Sequence, residues 1–209
     1  IPADGVAPRS NTAGMLPRRA LYRPNAISLS TCLGATRDFH HGLLSVRRAI
    51  ADVGTTRQDE LAGGATRGAA VVVMARSPEG RRPPKTRLAG VLPDEHDRRR
   101  LYAAFLADVV AGCGMIDGVT VRVAYTEDGG TSGFVKAGVG ADQLMPQRGT
   151  DLGDRERGVF EDLFRDGFSP VVMIGSDLPT LPAQRVVEAL DRLRASDDRV
   201  VLGPANDRG

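Results

Sequence analysis

The chain has no tryptophan, and aromatic residues make up only 4% of its 209 positions. Binding of single-stranded nucleic acid rests on aromatic platforms for base stacking, so such a platform is not expected. Positive charge is also scarce in net terms. A formal +2 leaves no overall electrostatic footprint for DNA or RNA. Only Cys32 and Cys113 are present, without metal-ligand spacing, which suits a reducing, cytoplasmic setting with both thiols acting as small buried apolar groups. No apolar run reaches the length of a membrane span, and residues 1–33 lack the compact apolar core of a secretory signal. Histidine occurs three times, and neither a His-Glu-x-x-His nor a Gly-x-Ser-x-Gly motif is found. Gly138-Val139-Gly140 lacks the third glycine of a dinucleotide loop.

What is present is unevenly spread. Residues 1–68 carry a net charge of +4 and residues 69–209 a net −2, so an anionic substrate of the longer part must be met by local cations. Residues 1–67 are interrupted by Pro2, Pro8, Gly14, Pro17, Pro24, Gly34, Gly54, Gly63 and Gly64. They read as a flexible or irregular lead-in of unknown role, with one short helix from His41 to Val53. His40 and His41 suit either a metal or, without nearby partners, a solvated loop. The first residue is Ile, and the chain reads as a fragment whose ordered domain, residues 68–209, is incomplete at its C-terminal end.

From Ala69 the pattern changes. Ala69 to Met74 is wholly apolar and rich in Val, which marks a strand buried on both faces. A helix is predicted from Asp94 to about Cys113, a strand from Val119 to Tyr125, and a helix over Asp151 to Asp166. Val171 to Ile174 forms another buried strand, a helix follows Pro182, and Val200 to Leu202 is the last strand. Gly129 to Gly149 is loop-rich. Strands alternating with helices of this length imply βαβ units, an α/β class and a mainly parallel sheet. Ligands of such sheets lie beyond the carboxyl ends of the strands, which directs attention to three loops.

The first loop runs from Ala75 to Leu88. Pro84 stands where a Walker A loop needs a glycine N–H, so that motif is absent. What remains is a cationic cluster of Arg76, Lys85 and Arg87, with Arg81 and Arg82 nearby. Lys85 is one of two lysines in the chain, and an ammonium suits a phosphate oxygen as a guanidinium suits two. The same residues suit a solvated basic turn. The second loop, Gly175 to Leu181, places Asp177 just past a buried strand. A carboxylate there repels phosphates unless Mg²⁺ or Mn²⁺ stands between them, or it simply caps the next helix. The third loop, Gly203 to Gly209, places Asp207 in the same position after a strand, where turn chemistry is the other reading.

Taken in order, Ala75-Arg76-Ser77-Pro78, Lys85-Thr86-Arg87-Leu88, Asp151 to Arg155, Gly175 to Leu181 and Gly203-Pro204-Ala205-x-Asp207 resemble a family. It is that of the glycosyltransferases found beside radical-SAM and selenodomain proteins, a branch of the nucleotide-diphospho-sugar transferase (GT-A-like) superfamily. A looser similarity is to 2-phospho-lactate guanylyltransferase, through the Lys-x-Arg-Leu loop and the Asp-Leu-Pro turn. The resemblance implies a Rossmann-like, mainly parallel sheet flanked by helices, with the donor nucleotide across the strand ends. By matched position it implies that Ala75, Arg76, Lys85 and Arg87 face nucleotide phosphates. Gln147, Gly149, Asp154 and Arg155 would border the donor, and Asp177 and Asp207 would hold Mg²⁺ or Mn²⁺. The sequence departs from the family in lacking a full Asp-x-Asp at Gly175-Ser176-Asp177 and in carrying Arg208 where the family has Gly.

The activity so implied is sugar transfer from a nucleotide-sugar donor to a small-molecule acceptor, with no nucleic acid and no membrane span involved. Nucleotidyl transfer from a nucleoside triphosphate to a small phosphorylated acid is the second reading, and a non-catalytic fragment is the third. No catalytic base, donor base, sugar, acceptor or oligomeric state follows from these residues.

Overall fold

The computed structural model describes residues 26–29 (backbone only), 67–195 and 200–203. Strands are β1 Ala26–Leu29, β2 Gly68–Ala75, β3 Val119–Tyr125, β4 Leu144–Pro146, β5 Phe168–Gly175 and β6 Val200–Leu202. Helices are α1 Glu95–Gly114, α2 Ser132–Lys136, α3 Leu152–Arg165 and α4 Ala183–Arg194. The strands form one sheet in the order β4-β3-β2-β5-β1-β6, and every neighbouring pair is parallel.

The two apolar runs occupy adjacent central strands because both of their faces need cover. Val71 and Val73 of β2 pack with Val172 and Ile174 of β5 against Leu106 and Val109 of α1 and Val186 and Leu190 of α4. On the other face Ala70, Val72, Val171 and Met173 meet Val159, Phe160, Leu163 and Phe164 of α3. Each fully buried Val, Leu or Phe contributes roughly 1.5–3 kcal/mol of transfer free energy, so the sheet is stabilised mainly through its middle. Helix starts follow local chemistry. Asp94 accepts from the Asp97 N–H at the head of α1, and Asp151 accepts from the Asp154 N–H at the head of α3.

Long elements agree with the expectations from periodicity. The loop-rich stretch 129–149 contains two short elements, α2 and β4, and the single apolar turns of each are too brief to produce a readable period. Within residues 1–67 the structure describes one strand that was not expected, β1, seated between β5 and β6. The helix expected over residues 41–53, His40, His41 and Cys32 lie outside the described residues. Cys113 is buried, and burial pushes its thiol up to about 11. None of the described helices is long and apolar enough to cross a membrane.

Strand order decides where a ligand can sit. From β2 the chain steps outward to β3 and β4, then returns to β5 on the opposite side of β2. The helices that follow β2 and β4 cover opposite faces, whereas those that follow β2 and β5, α1 and α4, share one face. The strand order reverses between β2 and β5, and in that sense this is a switch point, with the crevice for a ligand at the carboxyl ends of these two strands.

Candidate functional site

The loop leaving β2 is held down along its length. Arg99 of α1 donates to the Pro78 carbonyl at 2.8 Å, and the Arg81 N–H donates to the Asp128 carbonyl beyond β3. Glu79 receives Ser132 Oγ and Lys136 Nζ from α2, each at 2.6 Å. Those contacts, Lys136 first and Ser132 next, hold its carboxyl below the usual glutamate range. Gly129 fits beneath this loop because it has no side chain. A Cβ there would lie 2.5 Å from the Gly80 backbone and from Ser77 Oγ. The loop then crosses back to the β5 side and delivers Lys85 in the left-handed region, φ 56° and ψ 35°, ahead of a 3-10 turn at Thr86–Gly90. Lys85 is the one non-glycine among the described residues with positive φ. Such strain persists where surrounding contacts over-determine the conformation.

Those contacts are specific. Lys85 Nζ lies 2.6 Å from Asp177 Oδ1, and it sits 5.5 and 5.6 Å from the ring centroids of Tyr102 and Phe105. The lysine side chain is 15% exposed and the aspartate 47%, so the cation is sunk between rings while the carboxylate stays open to solvent. The two residues come from the loops that leave the two central strands, β2 and β5, and they meet where the strand order reverses. Of the two sequence readings of Asp177, helix capping does not hold, since α4 is headed by Pro182 without a side-chain cap. Lys85 is not a solvated turn residue either, because its ammonium is seated on Asp177 beside two rings.

Arg76 and Arg87 are exposed, as are Arg81 and Arg82, and their guanidinium groups make no hydrogen bond or ion pair with any described residue. Surface arginines on the helices behave differently: Arg99 pairs with Glu95, Arg157 with Asp154, Arg192 with Glu188 and Arg194 with Asp191. Guanidinium groups without a partner among the described residues thus gather on the loop at the crevice.

Gln147, immediately after β4, spans the neighbouring strand tips. Its Nε2 donates to the Ala124 carbonyl at 2.7 Å and to the Ala75 carbonyl at 3.2 Å, while its N–H donates to Tyr125. Ala75 therefore spends its carbonyl on the sheet edge. Gly149 adopts φ 137°, and a Cβ there would lie 2.7–2.8 Å from Asp154 and Arg155, so the turn into α3 requires glycine. Asp154 accepts from Thr150 and Arg157, which hold its carboxyl below the usual range, and Arg155 Nε donates to the Gly149 carbonyl. Gln147 is thus bound to the strand tips, while Gly149, Asp154 and Arg155 pack together in the turn into α3. One turn into α3, Glu156 is buried without a hydrogen-bond partner among the described residues, and burial pushes its carboxyl up to about 7.

The structure thus brings Ala75, Arg76, Lys85 and Asp177 to one crevice, with Gln147 at its β3 side and Arg87 on the adjoining turn. Asp207 lies outside the described residues. No group of three or more His, Cys, Asp or Glu among the described residues could cage a metal ion. Two participants were missed in the sequence, Tyr102 and Ser176. The tyrosine hydroxyl lies 2.9 Å from the Arg76 nitrogen, 3.1 Å from the Arg76 carbonyl and 3.0 Å from Ser176 Oγ. The available signal was a tyrosine in the apolar part of α1, since a buried phenol needs a polar partner.

Comparison with known proteins finds a likeness of fold. A crystal structure of a candidate nucleotide-diphospho-sugar transferase from Desulfovibrio desulfuricans G20 superposes with a TM-score of 0.53 at 28% identity, over 62% of this chain and 55% of that one. The fold is that of a nucleotide-diphospho-sugar transferase. This chain spans little more than half the length of that relative. Residues 109–209 match a family described as uncharacterized protein conserved in bacteria (DUF2064). No curated protein matches.

Proposed function

We propose that this protein is a metal-dependent transferase that takes a nucleotide-sugar donor, a glycosyltransferase that binds its donor's diphosphate at the crevice between β2 and β5. The observation that carries the reading is the meeting of Lys85 and Asp177, 2.6 Å apart, at the switch point of a parallel sheet. An ammonium and an accessible carboxylate there are complementary to a diphosphate and to the divalent ion that accompanies it. Mg²⁺ binds through one or two carboxylates together with substrate phosphates and water, so one open carboxylate without a preformed cage is a suitable donor set. Asp177 is the first such ligand and Asp207 the proposed second. When bound, Mg²⁺ or Mn²⁺ would supply charge neutralisation of the leaving diphosphate.

The chain's own part is to bind and align. Lys85 exchanges Asp177 for a phosphate oxygen, Arg76 and Arg87 supply guanidinium groups that have no partner among the described residues, and the tethered loop holds the backbone of all three in place. Gln147, Gly149, Asp154 and Arg155 shape the donor-facing edge beside them. The acceptor in this reading is a small molecule.

One observation favours a second reading, nucleotidyl transfer from a nucleoside triphosphate. The β2–α1 loop carries four guanidinium groups free of described partners, more positive charge than a diphosphate requires. Titration calorimetry with Mn²⁺ separates the two. Tighter binding of nucleoside diphosphates and their sugars supports glycosyl transfer, whereas preference for triphosphates with pyrophosphate release overturns it. In either case Asp177→Ala should abolish Mn²⁺-dependent nucleotide affinity with little change in melting temperature. Unchanged metal-dependent affinity in that variant refutes the site.

A further inference from the structure

We propose that Tyr102 is a positioning residue that locks the phosphate-binding loop and the metal-side loop into one register, an inference that rests on the donor-binding reading above. Tyr102 sits two turns into α1 and is 3% exposed. Its hydroxyl has one proton and two lone pairs. The Arg76 N–H donates to it at 2.9 Å, and it donates to the Arg76 carbonyl at 3.1 Å. Ser176 Oγ, 3.0 Å away, can donate to the remaining lone pair, so all three contacts are satisfied together.

These contacts join two separate strands. Arg76 is the first residue beyond β2, and Ser176 the first beyond β5 and the neighbour of Asp177. The Ser176 N–H also donates to the Met74 carbonyl at 3.1 Å, which carries the tie across the crevice floor. Above the hydroxyl's contacts, the Tyr102 ring forms one wall of the Lys85 seat, with Phe105 three residues on in the same helix as the other. One side chain thereby touches the backbone of Arg76, the neighbour of Asp177, and the ammonium of Lys85. Burial raises the phenol above its ordinary range, so it keeps its proton through neutral pH and remains a donor.

A side chain that only filled space would affect stability alone. One that sets the spacing between Lys85 and Asp177 also changes how well a metal–diphosphate is gripped. Tyr102→Phe separates the two, because it keeps the ring and the cation seat and removes the hydroxyl. The probe is Mn²⁺ with inorganic pyrophosphate, alongside Mn²⁺ with each nucleoside diphosphate, titrated into the full 209-residue chain well below the melting temperature of each variant. Tyr102→Phe is expected to weaken Mn²⁺–diphosphate binding about tenfold, in the range for leaving buried partners unsatisfied. Ser176→Ala, which cuts the tie from the other loop and leaves Tyr102 in place, is expected to weaken it in the same direction by a smaller factor. Adding Lys85→Met to Tyr102→Phe should cost less than it does in the wild type, because the two act on one grip.

A lowered melting temperature with affinity within twofold of wild type in both variants overturns the inference and leaves Tyr102 a core residue. If Tyr102→Phe does not fold, Ser176→Ala decides by the same criterion. Wild-type protein that binds neither pyrophosphate nor any nucleoside diphosphate with Mn²⁺ refutes the donor reading instead, and this inference falls with it.

Discussion

Replacing Lys85 by Met should move metal affinity in opposite directions depending on whether a nucleotide is present. The substitution removes the ammonium and places a flexible thioether between Tyr102 and Phe105, where sulfur–aromatic contact preserves the packing. In the nucleotide-free protein Lys85 occupies the carboxylate that the metal needs, at 2.6 Å. Metal binding must therefore displace it. Two unit charges 4 Å apart attract by about 1 kcal/mol in water and about 4 kcal/mol at an effective dielectric of 20. Asp177 is 47% exposed, which places the pair near the solvent-screened end of that range. Measured exposed pairs contribute about 0.2–1 kcal/mol, and the sunken lysine argues for the upper value. Lys85→Met should then tighten nucleotide-free Mn²⁺ binding by about fivefold, the equivalent of about 1 kcal/mol. With a nucleoside diphosphate present, the lysine serves the phosphates, and its loss removes a charge-assisted hydrogen bond of about 1.5–3 kcal/mol. Ternary affinity should fall by a factor of about ten or more. Both values are read by electron paramagnetic resonance of free Mn²⁺, with and without nucleotide. Metal affinity that falls in both conditions, or that does not respond without nucleotide, refutes the exchange of partners at Asp177.

Glu156→Gln tests the buried acid on α3. Its carboxyl ordinarily releases its proton near 4.5 and in the folded protein near 7. Between those values the folded state retains a proton that the unfolded state has lost, so stability falls as pH rises through that window. The penalty reaches about 3 kcal/mol above pH 7. The glutamine variant should gain on wild type in urea unfolding at pH 8 and show little gain at pH 5; equal differences at both pH values would rule out this origin. Gly129→Ala should push the β2–α1 loop off its seat, because the new methyl meets the Gly80 backbone at 2.5 Å. The expected loss is about 1–3 kcal/mol of stability, with weakened diphosphate binding. A variant with wild-type stability and affinity would show that the loop is not anchored there.

Much of the architecture could be read along the chain because the forces involved are local. The Val-rich runs at 69–74 and 171–174 announce strands that must be covered on both sides, and they are the two central strands of the sheet. Asp94 and Asp151 mark helix starts because a side-chain carboxylate satisfies an orphan N–H within three residues. Alternation of strands and helices was enough to specify a parallel α/β sheet and to direct the search to the loops after β2 and β5. The short elements β1, β4 and α2 were not read because three to five residues carry no period, whereas the equally short β6 showed as an apolar run, Val200 to Leu202, after a helix.

Strand order, and with it the encounter of Lys85 with Asp177 across 92 positions of sequence, was decided only when β5 paired with β2. That pairing depends on burial shared among α1, α3 and α4, which no window of sequence contains. The same holds for Tyr102. In the sequence it is one aromatic residue in an apolar stretch. Only the folded chain places its hydroxyl against both loops, because a hydrogen bond requires a specific partner at about 3 Å whereas apolar burial requires only cover.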